Sequence, residues 1–212
     1  MGDTHLWRPC CTDRHVRDGA AAPLTSANVP ALLVDDATLP TIPLPRLRER
    51  RLAAHEAAHV VAALALGSAP TGVSIDGRPV ACTGSARDWR ASAAISLAGP
   101  LGETYGVART LIAIPTSELD WTIGAVRGCG GGWCDRCTAV REIVVGLRHP
   151  PDADVVAEFR RIERAGADFV SAPEPRVQIG RMADLLMECG TLDGNAIEDG
   201  FGSTCRALEF PL

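Results

Sequence analysis

Leu52-Ala53-Ala54-His55-Glu56-Ala57-Ala58-His59-Val60-Val61-Ala62 lies in the middle of a segment that is made almost wholly of strong helix formers. This segment extends over 47–66. Pro45 is suited to the first turn of a helix, and Gly67 is suited to the position just after the last turn. The pattern therefore predicts a helix over 47–66, and the chemistry of the chain is best interpreted from this helix.

Two histidines of this helix, His55 and His59, are one turn apart and share a face. With Glu56 they form an H-E-x-x-H pattern, in which two imidazoles hold a divalent ion while the carboxylate takes a proton from water that attacks a peptide carbonyl. Imidazoles in an otherwise apolar stripe are costly to bury unless their nitrogens are satisfied, and a metal satisfies them. The alternative is a pair of histidines with ordinary hydrogen bonds. The pattern favours a metallopeptidase.

Composition limits the class of protein. The 212 residues suffice for one well-buried domain. A net charge of -5 and a pI near 5.5 argue against nucleic acid or an anionic membrane as the main partner. No apolar run approaches the roughly 20 residues that cross a bilayer, and residues 1–17 are too polar for a signal sequence. We therefore expect a cytoplasmic protein without a membrane span.

The chain divides into an arm and a body. Residues 1–45 are rich in proline and lack periodicity, which predicts an extended or partly disordered arm. In the body, 46–212, a short hairpin is predicted from 72–75 and 79–82. Five further helices are predicted, over 89–103, 118–126, 138–147, 153–165 and 177–189. Asp88 is the predicted N-cap of the first of these, and Ser117 is the predicted N-cap of the second. The expected fold is mainly α with a small β-hairpin, that is, α+β.

Four blocks, in order, resemble the peptidase domain of the FtsH-type zinc proteases, which is normally fused to an AAA ATPase. They cover about 50–200 and comprise the quoted helix segment, Ile95-Ser96-Leu97-Ala98-Gly99-Pro100-Leu101-Gly102-Glu103, Thr116-Ser117-Glu118-Leu119-Asp120, and Leu185-Leu186 followed by Thr191-Leu192-Asp193-Gly194. The resemblance implies a helical, FtsH-like zinc peptidase domain over 46–212, with His55 and His59 as zinc ligands, Glu56 as general base and Asp120 as third ligand. Zinc accepts a carboxylate oxygen, and a catalytic site needs three protein ligands and one vacancy.

Alternatives to Asp120 remain open. With Ser117 it also matches a helix-capping arrangement. Glu118 competes for the same role, and Glu103 can instead orient a zinc-bound histidine from outside the ligand set. Asp193 is similar to the leucine-aspartate-glycine motif of the membrane-embedded site-two proteases, but we expect it to be a turn or capping residue because the chain has no membrane-spanning segment.

The chain also departs from the FtsH-type pattern. The family usually has glycine at Ala58 and arginine at Pro100, and the ATPase half is missing. The resemblance therefore implies an ATP-independent zinc endopeptidase that cuts unfolded or flexible polypeptides, or that depends on another protein for delivery. The FtsH-type proteins are hexamers, but their ATPase ring helps to build that assembly. The resemblance therefore leaves open whether this chain is a monomer or a homo-oligomer.

Three cysteines, Cys129, Cys134 and Cys137, lie within a glycine-rich loop at 128–137 that the resemblance does not explain. They can hold a second, structural zinc with a fourth ligand from Cys82, Cys189 or His149. Their C-x4-C-x2-C spacing also equals that of plant-type two-iron ferredoxins, although the helical pattern does not suit that fold. The remaining interpretation is reduced thiols that happen to be close together.

Two rival functions follow from the same residues. One is a non-catalytic regulator or adaptor that keeps the peptidase fold, and its metal, while it binds a partner. The other is a metal- or redox-responsive module that uses the cysteine loop.

Overall fold

The computed structural model of the chain describes residues 44–76, 80–108, 116–129 and 131–212. The predicted arm over 1–45 therefore lies almost wholly outside the described residues. The helices are α1 (Leu44–Ala65), α2 (Trp89–Ala108), α3 (Thr116–Cys129), α4 (Asp135–Gly146), α5 (Asp152–Ser171), α6 (Pro173–Cys189), and the short α7 (Gly194–Ile197) and α8 (Ser203–Arg206), with a π-helical turn over Glu198–Gly202 between the last two. The strands are β1 (Pro70–Ser74), β2 (Val80–Thr83) and β3 (Thr191–Asp193). The expected class, mainly α with a small sheet, is confirmed.

Helix α1 is buried from Ala53 to Leu64 apart from the half-buried His55, and α2 packs directly against it. Small residues allow the two backbones to approach closely. A Cβ added to Gly102 of α2 would overlap the Cβ of Ala58 on α1, so only a glycine fits there. Helix α2 also contacts α4 and α5, while α1 also contacts α6. The two chemistry-bearing segments, on α1 and α2, are therefore held side by side inside the core.

The sheet is antiparallel, with the strand order β2-β1-β3. The predicted hairpin is confirmed as β1 and β2, in which Val73 lies opposite Ala81. The third strand was not expected; it places Leu192 opposite Val73 on the other side of β1. The capping role expected for Asp193 is confirmed, because its Oδ1 accepts the Ala196 N–H at 2.8 Å and so caps α7. Strand β2 lies at one edge of this sheet.

The six predicted helices are present, but each differs from its predicted bounds at one end or at both. Asp88 caps α2 as expected, since its Oδ1 accepts the Ala91 N–H at 2.9 Å. However, α2 continues through Pro100 to Ala108, because packing against neighbouring helices, chiefly α1, α4 and α5, compensates for the hydrogen bond that a proline removes. Ser117 lies inside α3, which begins one residue earlier.

None of the described helices combines the length and the apolar character that a bilayer span requires.

Candidate metal centre

The imidazoles of His55 and His59 are oriented through their Nδ1 atoms. His55 Nδ1 lies 3.0 Å from Glu103 Oε2 on α2, and His59 Nδ1 lies 2.7 Å from the carbonyl oxygen of Ile95, also on α2. Both acceptors are oxygens, so each Nδ1 carries the proton and donates it. Nδ1 of each ring is thus engaged as a donor, so Nε2 is the atom that would bind a metal after giving up its own proton, which is the usual arrangement around metal-binding histidines.

Asp135, the first residue of α4, faces both Nε2 atoms. Its Oδ2 lies 3.0 Å from His55 Nε2 and its Oδ1 lies 3.4 Å from His59 Nε2. The three residues offer ligand atoms that all lie within 4.8 Å of one another. Tetrahedral zinc with bonds of about 2.0–2.1 Å separates its ligand atoms by about 3.4 Å. His55, His59 and Asp135 therefore form a group that can hold a metal ion after small adjustments.

Asp120, the third ligand implied by the family resemblance, is not a member of this group. It is exposed on α3. Its neighbour Glu118 forms an ion pair at 2.5 Å with Arg136 of α4. In the described part of the chain, the carboxylate that lies beside the two Nε2 atoms is that of Asp135. The sequence analysis did not predict Asp135 as a ligand, although it is an acidic residue at the start of a helix and directly follows Cys134.

Glu56 is buried, with 6 % of its surface exposed, and neighbours both histidines along α1. Its carboxylate accepts a hydrogen bond from the backbone N–H of Ala81 on β2. Burial raises the pKa of this carboxyl, and the imidazoles of His59 and His55 oppose that rise only in part. Glu56 is therefore a stronger base than an exposed glutamate, and it lies where α1 meets the edge strand.

Glu103 connects His55 to Arg51, which is the contact expected of an outer residue that orients a ligand. Its Oε1 accepts from Arg51 Nη2 at 2.6 Å, while its Oε2 accepts from His55. Burial acts to raise the pKa of Glu103, but the hydrogen bonds from His55 and Arg51 lower it below its ordinary value. The residue is therefore held as a carboxylate.

The charges at the centre favour a cation. Among the described side chains, the carboxylates of Glu56, Glu103 and Asp135 interact with the two imidazoles, and Glu103 also pairs with Arg51. Burial opposes a charge on His55, but hydrogen bonds with Asp135 and Glu103 outweigh it and raise its pKa to about 10. Burial acts to raise the pKa of Asp135, but hydrogen bonds from both histidines hold it well below its usual range. Without a metal, a proton on His55 supplies positive charge between these carboxylates. A bound divalent ion would replace that proton and supply the charge instead.

The cysteine loop at 128–137 contributes one residue, Asp135, to the candidate metal centre. Among the described side chains, its cysteines do not form a second group of possible metal ligands. Cys137 is buried in the hydrophobic core, Cys134 is half-buried, and the Cys129 side chain lies outside the description. Where side chains are described, His55, His59 and Asp135 are the group of three metal-binding side chains that the structure brings together. A second zinc in the loop stays a prediction.

Comparison with known proteins adds no assignment: no protein-family model matches the chain, and no curated protein is significantly similar to it.

Proposed function

We propose that the protein is an ATP-independent zinc metalloendopeptidase that hydrolyses unfolded or flexible polypeptides. The observation that carries the proposal is the placement of a buried carboxylate, Glu56, beside two imidazoles that direct Nε2 toward the carboxylate of Asp135. One helix turn thus presents a base next to a group that can hold a metal. The resemblance to FtsH-type peptidases supports the same chemistry.

Zinc is the ion that best fits the residues. Two imidazoles and one carboxylate are a common ligand set for catalytic zinc, and they leave one position for water or substrate. The same donors also bind iron(II) in oxygenases. A buried glutamate adjacent to the first histidine favours hydrolysis, because peptide cleavage needs a base at that place.

A divalent ion bound here would supply a Lewis acid that polarises the scissile carbonyl and lowers the pKa of a coordinated water. Glu56 would accept the proton of the attacking water and pass it to the leaving amine. Burial raises its pKa, which makes it a better proton acceptor than an exposed glutamate. Glu103 and the carbonyl of Ile95 hold the two rings in the orientation that exposes Nε2.

The substrate class follows from what the chain contains and from the position of β2. All 21 basic residues are arginine, so the sequence has no G-x-x-x-x-G-K-[ST] phosphate loop to drive unfolding with ATP. We therefore propose substrates that already offer an extended segment. Strand β2 is an edge strand of the sheet, and the backbone N–H of its residue Ala81 donates a hydrogen bond to Glu56. An extended peptide that pairs with this edge would therefore pass close to the proposed base.

The test compares the wild type with Glu56→Gln and with Glu188→Gln, an exposed glutamate of α6 that serves as the matched control. Metal content per chain and cleavage of an unfolded protein substrate are measured on each. We expect zinc in all three proteins and a loss of at least about 100-fold in turnover for Glu56→Gln alone.

Two outcomes would contradict the proposal. Equal cleavage by wild type and Glu56→Gln would show that the base lies elsewhere. Bound zinc without cleavage in any of the three proteins would instead favour the non-catalytic adaptor.

A further inference from the structure

Gly99 of α2 lies directly against the two nitrogens that face the proposed ion. A Cβ built on Gly99 would lie 2.8 Å from His55 Nε2, 2.5 Å from His59 Cε1, and closer still to His59 Nε2. Real Cβ atoms essentially never make non-bonded contacts under 3.0 Å. Any other residue at this position would therefore force both rings to move.

One turn of α2 thus contacts both sides of the His59 ring. The Ile95 carbonyl accepts the proton of Nδ1, and Gly99, four residues later on the same helix face, lies against Nε2. The first contact fixes the tautomer, and the second is possible only because residue 99 has no side chain.

We propose that Gly99 is a positioning residue for the metal centre: the missing side chain lets His55 and His59 present Nε2 to one shared ion. A methyl group at this position would compete with the ion for the space in front of both nitrogens and would turn the rings away from Asp135. The substitution removes no ligand, so it separates the geometry of the site from its donor set. This inference rests on the proposed metal site.

Gly102 provides a matched control in the same helix pair. A Cβ at Gly102 would meet Ala58 and not an imidazole. Gly124 on α3 has no atom within 4 Å of its added Cβ and serves as a neutral control. Gly102→Ala should lower stability through crowding of α1 and α2, whereas Gly124→Ala should change little.

The first experiment titrates each metal-free protein with Co²⁺, whose visible absorbance reports coordination. Changes that disturb the orientation of metal-binding histidines typically cost about 10- to 100-fold in affinity, and we expect Gly99→Ala to reach at least the upper end of that range. Gly102→Ala and Gly124→Ala should keep the affinity of the wild type per folded chain. Unchanged Co²⁺ affinity in Gly99→Ala would overturn the proposal.

A second measurement decides the matter even if Gly99→Ala folds poorly. The melting temperatures of wild type, Gly99→Ala, His59→Ala and the double variant form a cycle. Since the closest overlap is with the His59 ring, the added methyl should cost far less in the His59→Ala background. An equal cost in both backgrounds would overturn the proposal. Both readouts are independent of cleavage, so a protein that binds Co²⁺ but cuts no peptide would refute the peptidase and leave the role of Gly99 intact.

Discussion

Replacing Asp135 and Asp120 separately by asparagine distinguishes the two candidate third ligands. Asp135 lies 3.0 and 3.4 Å from the two histidine Nε2 atoms, whereas Asp120 is exposed on α3. Asparagine keeps the size of the side chain but is a far weaker ligand for zinc. Asp135→Asn should therefore lose most of its zinc affinity, and Asp120→Asn should keep it.

The expected size can be worked out as a zinc-dependent rise in melting temperature. At a free zinc concentration of 100 times its dissociation constant, the wild type gains about 2.7 kcal/mol. For a chain of this length that corresponds to about 5–11 °C. If the loss of Asp135 weakens binding by at least about 100-fold, the variant gains at most about 0.4 kcal/mol at the same zinc concentration, which is about 1–2 °C.

The assay records thermal unfolding by circular dichroism after chelation and again with zinc added. Each variant is compared with itself, so a change in baseline stability does not enter the result. A zinc-dependent shift that persists in Asp135→Asn and disappears in Asp120→Asn would refute the assignment of Asp135. It would restore the ligand that the family resemblance implies.

Three other outcomes follow from the structure. Glu103→Gln should weaken zinc binding by about 10- to 100-fold, because an amide oxygen accepts the hydrogen bond from His55 less strongly than a carboxylate does. Zinc affinity is measured by competition with a chelator, and an unchanged affinity would contradict this role of Glu103. Hydrogen bonds from Arg161 lower the pKa of Glu158 from 4.5 to about 2; burial opposes this change, and a hydrogen bond from Arg90 adds to it. The stability that this carboxylate contributes is thus present above pH 4.5 and lost as the pH falls toward about 2, so denaturant titrations should find Glu158→Gln less stable than the wild type at neutral pH and converging with it in acid; a constant difference would contradict this. Phe159→Ala, at a fully buried position, should cost about 3–5 kcal/mol in unfolding free energy while leaving zinc affinity per folded chain unchanged; a loss of less than about 1 kcal/mol would argue against the packing of α5.

The parts of the site that sequence could predict are local. His55, Glu56 and His59 lie within two turns of one helix, where spacing alone fixes which side chains share a face. The contact between Glu103 and a histidine was one of the alternatives that the sequence offered, because an acidic residue on a neighbouring helix is suited to orienting a ligand.

Asp135 could not be predicted in this way. Its position depends on how α4 packs against α2, with a glycine-rich loop leading into it, and no local pattern encodes that packing. The same reason explains the missed strand β3, whose three residues form a strand only because they pair with β1. Helix α2 continues through Pro100 because contacts with other helices outweigh the local preference of proline.

Diffraction from crystals grown with zinc, recorded at the zinc absorption edge, tests the central claim most directly. We predict one anomalous peak with bonds of about 2.0–2.2 Å to Nε2 of His55, Nε2 of His59 and a carboxylate oxygen of Asp135. A pocket without a peak, or an ion held by Asp120 or by the cysteine loop instead, would contradict the account.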